Sequence, residues 1–279
     1  MSSTDQYAVM GNPIAHSKSP MIHTLFAEQS GQKLEYGAIL VEIGQFNEAV
    51  RAFQEEGGKG LNVTVPFKRD AWRLVDERSP CATLAGAVNT IAIRADDSLY
   101  GDNTDGVGMV RDIRDNLALS LTDKRVLILG AGGAVRGVLG PILEERPREV
   151  MIANRTLDRA QELADAFEDH GKVEACNFDD LDGIRFDIVI NGTSASLKGD
   201  VPPLPEGILA RDALCYDMMY AAEPTAFMRW AEEEGCERTS DGLGMLVEQA
   251  AESFKLWRGV SPDTAPVIKA VREALLASV

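Results

Sequence analysis

The chain has 279 residues, 45% of them hydrophobic and 26% charged, a composition that excludes a disordered protein and suits two compact units or one large one. Lys and Arg total 28 against 44 Asp and Glu, leaving a formal net charge of −16 that repels a nucleic-acid backbone, so an anionic ligand must be held by a few chosen groups. The four cysteines form no C-x-x-C pair, the three histidines are scattered, and no apolar run reaches about 18 residues; neither a metal centre, a disulfide framework nor a membrane span is expected.

The start of the chain lacks the basic segment and apolar stretch of a signal peptide, and a cytoplasmic protein is expected. The first hundred residues alternate apolar runs at 7–10, 35–40, 60–65 and 90–93 with helical stretches at 20–30 and 43–56, which predicts an α/β unit. The middle is clearer. Strands are predicted at 125–129, 149–153, 186–191 and 213–218, with helices over 134–145 and 158–167, and this alternation implies parallel βαβ units. Two helices close the chain, 245–257 and 264–276. In the last, Val267, Val271 and Leu275 share a face with Ile268 and need a docking surface. Glycine-bearing crossings near 105–108 and 241–244 divide the chain into a unit over 1–106, completed by helices of 243–279, and a second over 107–242.

The run Gly130-Ala131-Gly132-Gly133-Ala134 directly follows an apolar strand and directly precedes a helix. Glycine there lets backbone N–H groups and the helix dipole approach a pyrophosphate. The third glycine of the G-x-G-x-x-G pattern is replaced by Val135, so an ordinary glycine-rich turn is the competing reading. A fold that prefers NAD carries an acid about 20 residues after the first glycine. Here the second strand ends in Asn154-Arg155-Thr156, with Arg159 one turn on. Guanidinium groups suit a 2′-phosphate, and NADP is the cofactor expected; a solvated helix start is the alternative.

The N-terminal unit carries polar residues within apolar surroundings. Ser17 and Ser19 lie near a proline-led helix start, as carboxylate ligands or as helix caps. Asn62, Thr64 and Lys68 are expected to share one strand face and its continuation. Asn89 and the run Asp102-Asn103-Thr104-Asp105-Gly106 add donors and acceptors. From the residues alone, Lys68 reads first as a surface lysine at a strand end in a salt bridge with Asp105.

These stretches, together with Gly86-Ala87-Val88-Asn89-Thr90, Asn191-Gly192-Thr193-Ser194, Tyr216-Asp217-Met218-Met219-Tyr220 and Asp241-Gly242-Leu243-Gly244-Met245-Leu246, resemble the shikimate dehydrogenase family, in family order over nearly the whole chain. The resemblance implies a substrate domain and a Rossmann-like NADP-binding domain with a parallel sheet, separated by a cleft. It implies reversible reduction of 3-dehydroshikimate to shikimate by NADPH, within aromatic amino-acid biosynthesis. By motif, Lys68 and Asp105 are the catalytic pair. Ser17, Ser19 and Tyr220 contact the substrate carboxylate, while Thr64, Asn89 and Gln249 bind its hydroxyls, a task for which neutral amides suit. Thr193, Met218 and Gly242 join the glycine loop and Asn154, Arg155, Thr156 and Arg159 around the cofactor. Gln249 as an amide on a solvated face, and Met218 as a core filler, are the structural alternatives.

The expected partners are thus a small-molecule substrate and NADP, with neither nucleic acid nor membrane, in a monomer or homodimer. A quinate/shikimate dehydrogenase of broader use is the nearest rival. A non-catalytic NADP-binding regulator and an adenosylmethionine-dependent methyltransferase are more distant; the latter leaves the two arginines without a role.

Overall fold

A computed structural model describes residues 4–195 and 199–278. The chain forms two compact units: residues up to Gly108 join Leu246–Glu273 in the first, and Met109–Met245 joins the last residues of the chain in the second.

The first unit runs β1 (Asp5–Gly11), α1 (Ser19–Ser30), β2 (Leu34–Leu40), α2 (Phe46–Glu55), β3 (Gly58–Val63), α3 (Lys68–Leu74), β4 (Glu77–Arg78), α4 (Pro80–Ala85), β5 (Thr90–Ile93), β6 (Leu99–Asp102) and α5 (Asp105–Arg111). Its six strands are ordered β2-β1-β3-β5-β6-β4. β1 lies parallel to both neighbours, whereas β5 runs antiparallel to β3 and β6. Central β1 is buried from Tyr7 to Gly11, as an inner strand covered on both faces must be, while edge strand β2 alternates between half-buried and exposed over much of its length. Met10, Leu61, Val63, Phe67 and Ile91 anchor the core on one side of the sheet.

One local expectation is corrected. The strand predicted to run to residue 65, with Lys68 on its continuation, ends at Val63. Pro66 has no N–H for a ladder, and a turn closed by Phe67 N–H donating to Thr64 O at 3.0 Å replaces the strand. Phe67 is buried behind that turn, and Lys68 opens helix α3.

The second unit begins with a π-helical turn over Asp112–Asn116 and continues β7 (Arg125–Leu129), α6 (Gly133–Glu144), β8 (Glu149–Ala153), α7 (Leu157–Asp165), β9 (Val173–Cys176), β10 (Phe186–Asn191), β11 (Leu209–Asp217), α8 (Ala226–Glu233) and β12 (Arg238–Ser240). The sheet order is β12-β11-β10-β7-β8-β9, and every pairing is parallel. The chain winds outward from β7 in one direction through β8 and β9 and in the other through β10, β11 and β12. This is the doubly wound order, with its switch point between β7 and β10, where open α/β sheets bind ligands at the carboxyl ends of their strands. Val126, Leu127, Ile128 and Leu129 are all at 0% exposure, which is why β7 reads as an unbroken apolar run.

Helices α9 (Leu243–Arg258) and α10 (Ala265–Leu276) follow. The face of α10 expected to dock is buried at Val267, Val271 and Leu275, with Ile268 half-buried beside them. Among the described residues no helix is long and apolar enough to cross a membrane.

Candidate active site

In the first unit, Lys68 at the start of α3 and Asp105 at the start of α5 meet: Lys68 Nζ lies 2.6 Å from Asp105 Oδ2. Asp105 Oδ1 accepts from Asn89 Nδ2 at 2.9 Å, and its backbone N–H donates to Asn103 Oδ1 at 3.2 Å. The carboxylate is therefore held at both oxygens. Asn89, just before β5, is buried, and its own Oδ1 accepts from the Thr104 backbone N–H and the Thr90 hydroxyl. Its Nδ2 has three acceptors in reach, Asp105 Oδ1, Thr104 Oγ1 at 3.0 Å and Gln249 Oε1 at 3.3 Å. Two hydrogens meet three acceptors there, so this amide is fully engaged and binds a hydroxyl ligand only by exchanging one of these bonds. Gln249, on α9, is half-buried and donates through Nε2 to Leu246 O at 2.8 Å. Its alternative as a solvated surface amide is thereby set aside.

Ser17 and Ser19 stand at the entry to α1. Ser17 Oγ accepts from the Ser19 backbone N–H, the first of the helix, at 3.3 Å, while the N-cap position belongs to Lys18, which makes no side-chain cap. Ser19 is buried, and deeper in the same unit the Tyr36 hydroxyl donates to Asn62 Oδ1 at 2.7 Å. Thr64 is half-buried in the turn after β3, where its backbone N–H bonds Met10 O. Asp102 and Asn103 act as loop braces: Asp102 Oδ1 accepts the Asn103 N–H, and Asn103 Nδ2 bonds Ala87 O.

The second unit builds its ligand end from the loops after β7, β8, β10 and β11. Gly130 adopts φ +100°, which a side chain resists, and its N–H donates to Ala153 O at 2.8 Å. At Gly132 and Gly133 a Cβ would meet nothing within 4 Å, so this stretch is open to a ligand. The missing third glycine has a structural counterpart. Val135 on α6 is buried, and its Cγ2 lies 2.4 Å from where a Cβ on Gly192 would stand, so Gly192 supplies the close helix–strand approach that the absent glycine normally gives. Asn191 and Asp217, both at 0% exposure, tie the neighbouring loops. Asn191 Nδ2 donates to Asp217 Oδ1, Asn191 Oδ1 accepts from Thr193 Oγ1 at 2.8 Å, and Asp217 Oδ1 accepts the Met219 N–H. Gly242 N–H donates to Met219 O, bringing that crossing to the same end of the sheet. Met218 is half-buried, not a core filler.

At the end of β8, Asn154 Nδ2 donates to Thr156 O at 2.8 Å. Arg155 and Arg159 are exposed, and among the described residues neither guanidinium has an ion-pair or hydrogen-bond partner. An open glycine loop and two unengaged guanidiniums fit a pyrophosphate and a 2′-phosphate. Tyr220 lies in this second unit beyond β11; burial, then the nearby Asp241 charge, push its hydroxyl pKa up.

Sequence reasoning missed the groups behind the first unit's cluster. Asn62 Nδ2 reaches Asn89 O, Thr90 Oγ1 and Ser253 Oγ, while His23 Nε2 bonds Asn62 Oδ1 at 3.1 Å. No spacing joins Tyr36 to Asn62. They sit on β2 and β3 with β1 between, and the long tyrosine side chain reaches across it. Among the described residues, no group of three or more His, Cys, Asp or Glu side chains is placed to hold a metal ion.

A doubly wound nucleotide-type unit joined to a unit with a lysine–carboxylate pair ringed by amides defines a nicotinamide-dependent oxidoreductase acting on a carbinol. Three family models match in chain order: the shikimate dehydrogenase substrate binding domain over residues 9–91, shikimate/quinate 5-dehydrogenase over 112–198, and the shikimate 5′-dehydrogenase C-terminal domain over 242–272. A shikimate dehydrogenase (NADP(+)) of Cellvibrio japonicus is 58% identical over 98% of both chains. Among solved structures, an Ael1 enzyme from Pseudomonas putida aligns with a TM-score of 0.91 at 49% identity, covering 95% of this chain and 97% of that one. The shikimate 5-dehydrogenase of Thermus thermophilus, in complex with NADP(H) and shikimate, aligns with a TM-score of 0.86 at 32% identity, over 97% of this chain and 100% of that one. This chain belongs to the NADP-linked shikimate dehydrogenase family.

Proposed function

We propose that this chain catalyses the reversible reduction of 3-dehydroshikimate to shikimate with NADPH, using Lys68 and Asp105 as its catalytic pair. The observation that carries the reading is the pair itself, 2.6 Å apart, with the second carboxylate oxygen fixed by Asn89 and with Gln249 on the same amide. When bound, NADPH supplies the hydride to the substrate's ring carbon. As negative charge develops on the carbonyl oxygen, Lys68 Nζ donates the proton that completes the hydroxyl. The lysine side chain is 30% exposed, so it regains a proton from solvent; oxidation of shikimate runs the same transfers backward. Asp105 is 15% exposed and fixes Nζ in place, leaving only one ammonium hydrogen committed to the carboxylate.

Asn89, Gln249 and Thr64 bind ring hydroxyls, and Ser17, Ser19 and Tyr220 the carboxylate. Neutral donors suit a polyol because each hydroxyl both donates and accepts. Gly130, Ala131, Gly132, Gly133 and Ala134 hold the pyrophosphate, Asn154, Arg155, Thr156 and Arg159 the 2′-phosphate, and Thr193, Met218 and Gly242 the nicotinamide side. Three buried thiols, Cys176, Cys215 and Cys236, are free, in keeping with a reducing cytoplasm. Shikimate and quinate are each assayed with NADP and with NAD by nicotinamide absorbance. Turnover confined to shikimate with NADP supports the proposal. Comparable turnover of quinate or with NAD replaces it with the broader dehydrogenase, and NADP binding without turnover replaces it with a regulator.

A further inference from the structure

Behind Asn89 lies a buried line of neutral side chains whose hydrogens can be placed one by one. Asn62 Nδ2 is 3.2 Å from the Asn89 carbonyl oxygen, which can only accept, so the Asn62 amide turns its nitrogen this way. Its oxygen faces the Tyr36 hydroxyl and His23 Nε2, which both donate to it. The other His23 ring nitrogen, Nδ1, is buried without a partner among the described residues. Asn62 Nδ2 also donates to Ser253 Oγ, on α9, at 3.0 Å. Ser253 Oγ and Thr90 Oγ1 are 2.7 Å apart, and Thr90 Oγ1 is 2.9 Å from Asn89 Oδ1. An amide oxygen supplies no hydrogen, so Thr90 donates to Asn89, and the hydrogen of the shorter contact comes from Ser253. The line therefore runs in one direction, Asn62 to Ser253 to Thr90 to Asn89, and both hydroxyl residues are at 0% exposure.

We infer that Thr90 is a positioning residue for the reaction: its hydroxyl, held by Ser253, fixes the rotation of the Asn89 amide and so keeps the Asn89 donors on Asp105 and on the substrate. The inference rests on the reading of Asp105 as the partner of Lys68 and of Asn89 as a hydroxyl ligand. The terminal torsion of an asparagine has broad minima, and one hydrogen bond to its oxygen is a pivot, not a clamp. The Thr104 backbone N–H supplies one bond to Asn89 Oδ1 at 3.0 Å, and Thr90, the first residue of β5, supplies the second. The Thr104 hydroxyl, 3.0 Å from Asn89 Nδ2 and 3.2 Å from Oδ1, lies astride both ends of the amide and does not discriminate between them. Turned over, the amide would set its oxygen against Asp105 Oδ1 and its nitrogen against the Thr104 N–H, acceptor on acceptor and donor on donor. The carboxylate that holds Lys68 Nζ at 2.6 Å would then lose its amide anchor. Two hydroxyls aligned head to tail also polarise the Asn89 amide, which makes its Nδ2 hydrogens better donors.

The test compares, in the full-length enzyme, Thr90→Val, which keeps the branched shape and removes the hydroxyl, with Thr90→Ser, which keeps the hydroxyl. Thr90→Val orphans no neighbour. Asn89 Oδ1 retains the Thr104 N–H, the Ser253 hydrogen turns to Gln249 O at 3.1 Å, and Asn62 Nδ2 retains Ser253 Oγ and Asn89 O, so an unchanged melting curve is expected. In Thr90→Val, kcat/KM for shikimate should fall about fivefold to tenfold with the KM for NADP within about twofold of wild type, whereas Thr90→Ser should stay within about twofold of wild type throughout. In a double variant with Asn89→Ala, Thr90→Val should add no further loss, because it acts only through that amide. Wild-type kinetics in Thr90→Val, an equal loss in Thr90→Ser, or losses that add in the double variant overturn the inference while the site reading stands. Should Thr90→Val not fold, Thr90→Ala against Thr90→Ser makes the same comparison between side chains that differ by the hydroxyl alone, and equal kinetics overturn the inference. Near-normal turnover in Lys68→Ala removes the site reading itself, and the inference with it.

Discussion

Lys68 Nζ and Asp105 Oδ2 are 2.6 Å apart, and the carboxylate's other oxygen is occupied by Asn89, so Asp105 cannot rotate without breaking two charge-assisted bonds. Lys68→Ala should fold normally, because the lysine side chain is 30% exposed and Asp105 keeps the Asn89 bond when the lysine is removed. Its kcat should fall by about 10²–10⁴-fold, the usual worth of a positioned proton donor, with little change in the KM for NADP. Asp105→Asn keeps the size and the Asn89 contact but releases the lysine, and its loss should also appear mainly in kcat. A Lys68→Ala protein with near-normal turnover would return the pair to a surface salt bridge.

Among the described residues Arg155 and Arg159 carry no partner that a mutation would orphan, so removing either changes ligand binding without a stability cost. Arg155→Ala is expected to raise the dissociation constant for NADPH about tenfold or more and to leave that for NADH unchanged, since only the former bears a 2′-phosphate. Fluorescence titration of both nucleotides checks it. Equal weakening of the two would place the guanidinium on the shared part of the cofactor.

How far the sequence could be read depended on burial. β5, β7, β8 and β10 fall where apolar runs predict them, because they lie inside their sheets. β4, β9 and β12, short edge strands with sequences such as Glu-Arg and Arg-Thr-Ser, carry no such pattern. Lys68 reads as a strand continuation because Val63, Val65 and Phe67 alternate with polar residues, yet a turn at Pro66 makes it the first residue of a helix. The missing glycine at Val135 looks like a weakened motif until Gly192 is seen beneath it. Cys236 reads as an isolated thiol, but the pairing of β11 with β12 brings its Sγ to Ala213 O at 3.3 Å, a contact that only tertiary register creates. Tyr36 and His23 stayed hidden for the same reason.

The Gly192 contact gives a packing test. A Cβ there would stand 2.4 Å from Val135 Cγ2 and 3.3 Å from Leu129 O, so Gly192→Ala should cost about 1–3 kcal/mol of stability and weaken NADP binding by shifting α6 against the loop. Adding Val135→Ala removes the obstructing methyl groups and should restore part of both. Thermal melts with and without NADP give the two readouts. Additive losses in the double variant would mean that the valine is not what Gly192 accommodates.

His23 makes stability depend on pH in a window where ordinary carboxylates are silent. Burial first of all, opposed by the Asn62 bond, lowers its pKa from 6.5 to about 3 in the folded protein, so between these values the unfolded chain binds the extra proton. Stability from this ring is therefore complete above about pH 6.5 and is lost as pH falls towards 3, amounting to about 2 kcal/mol by pH 5. His23→Gln retains a donor for Asn62 Oδ1 but does not titrate, so its stability profile between pH 7 and 5 should be flatter than that of wild type, and the difference between the two profiles isolates the imidazole. Urea midpoints followed by tryptophan fluorescence suit the measurement, since the Trp257 ring lies 5.3 Å from His23. Parallel profiles would show that the folded protein takes up the proton at an ordinary pKa, and that the buried Nδ1 finds a partner once charged.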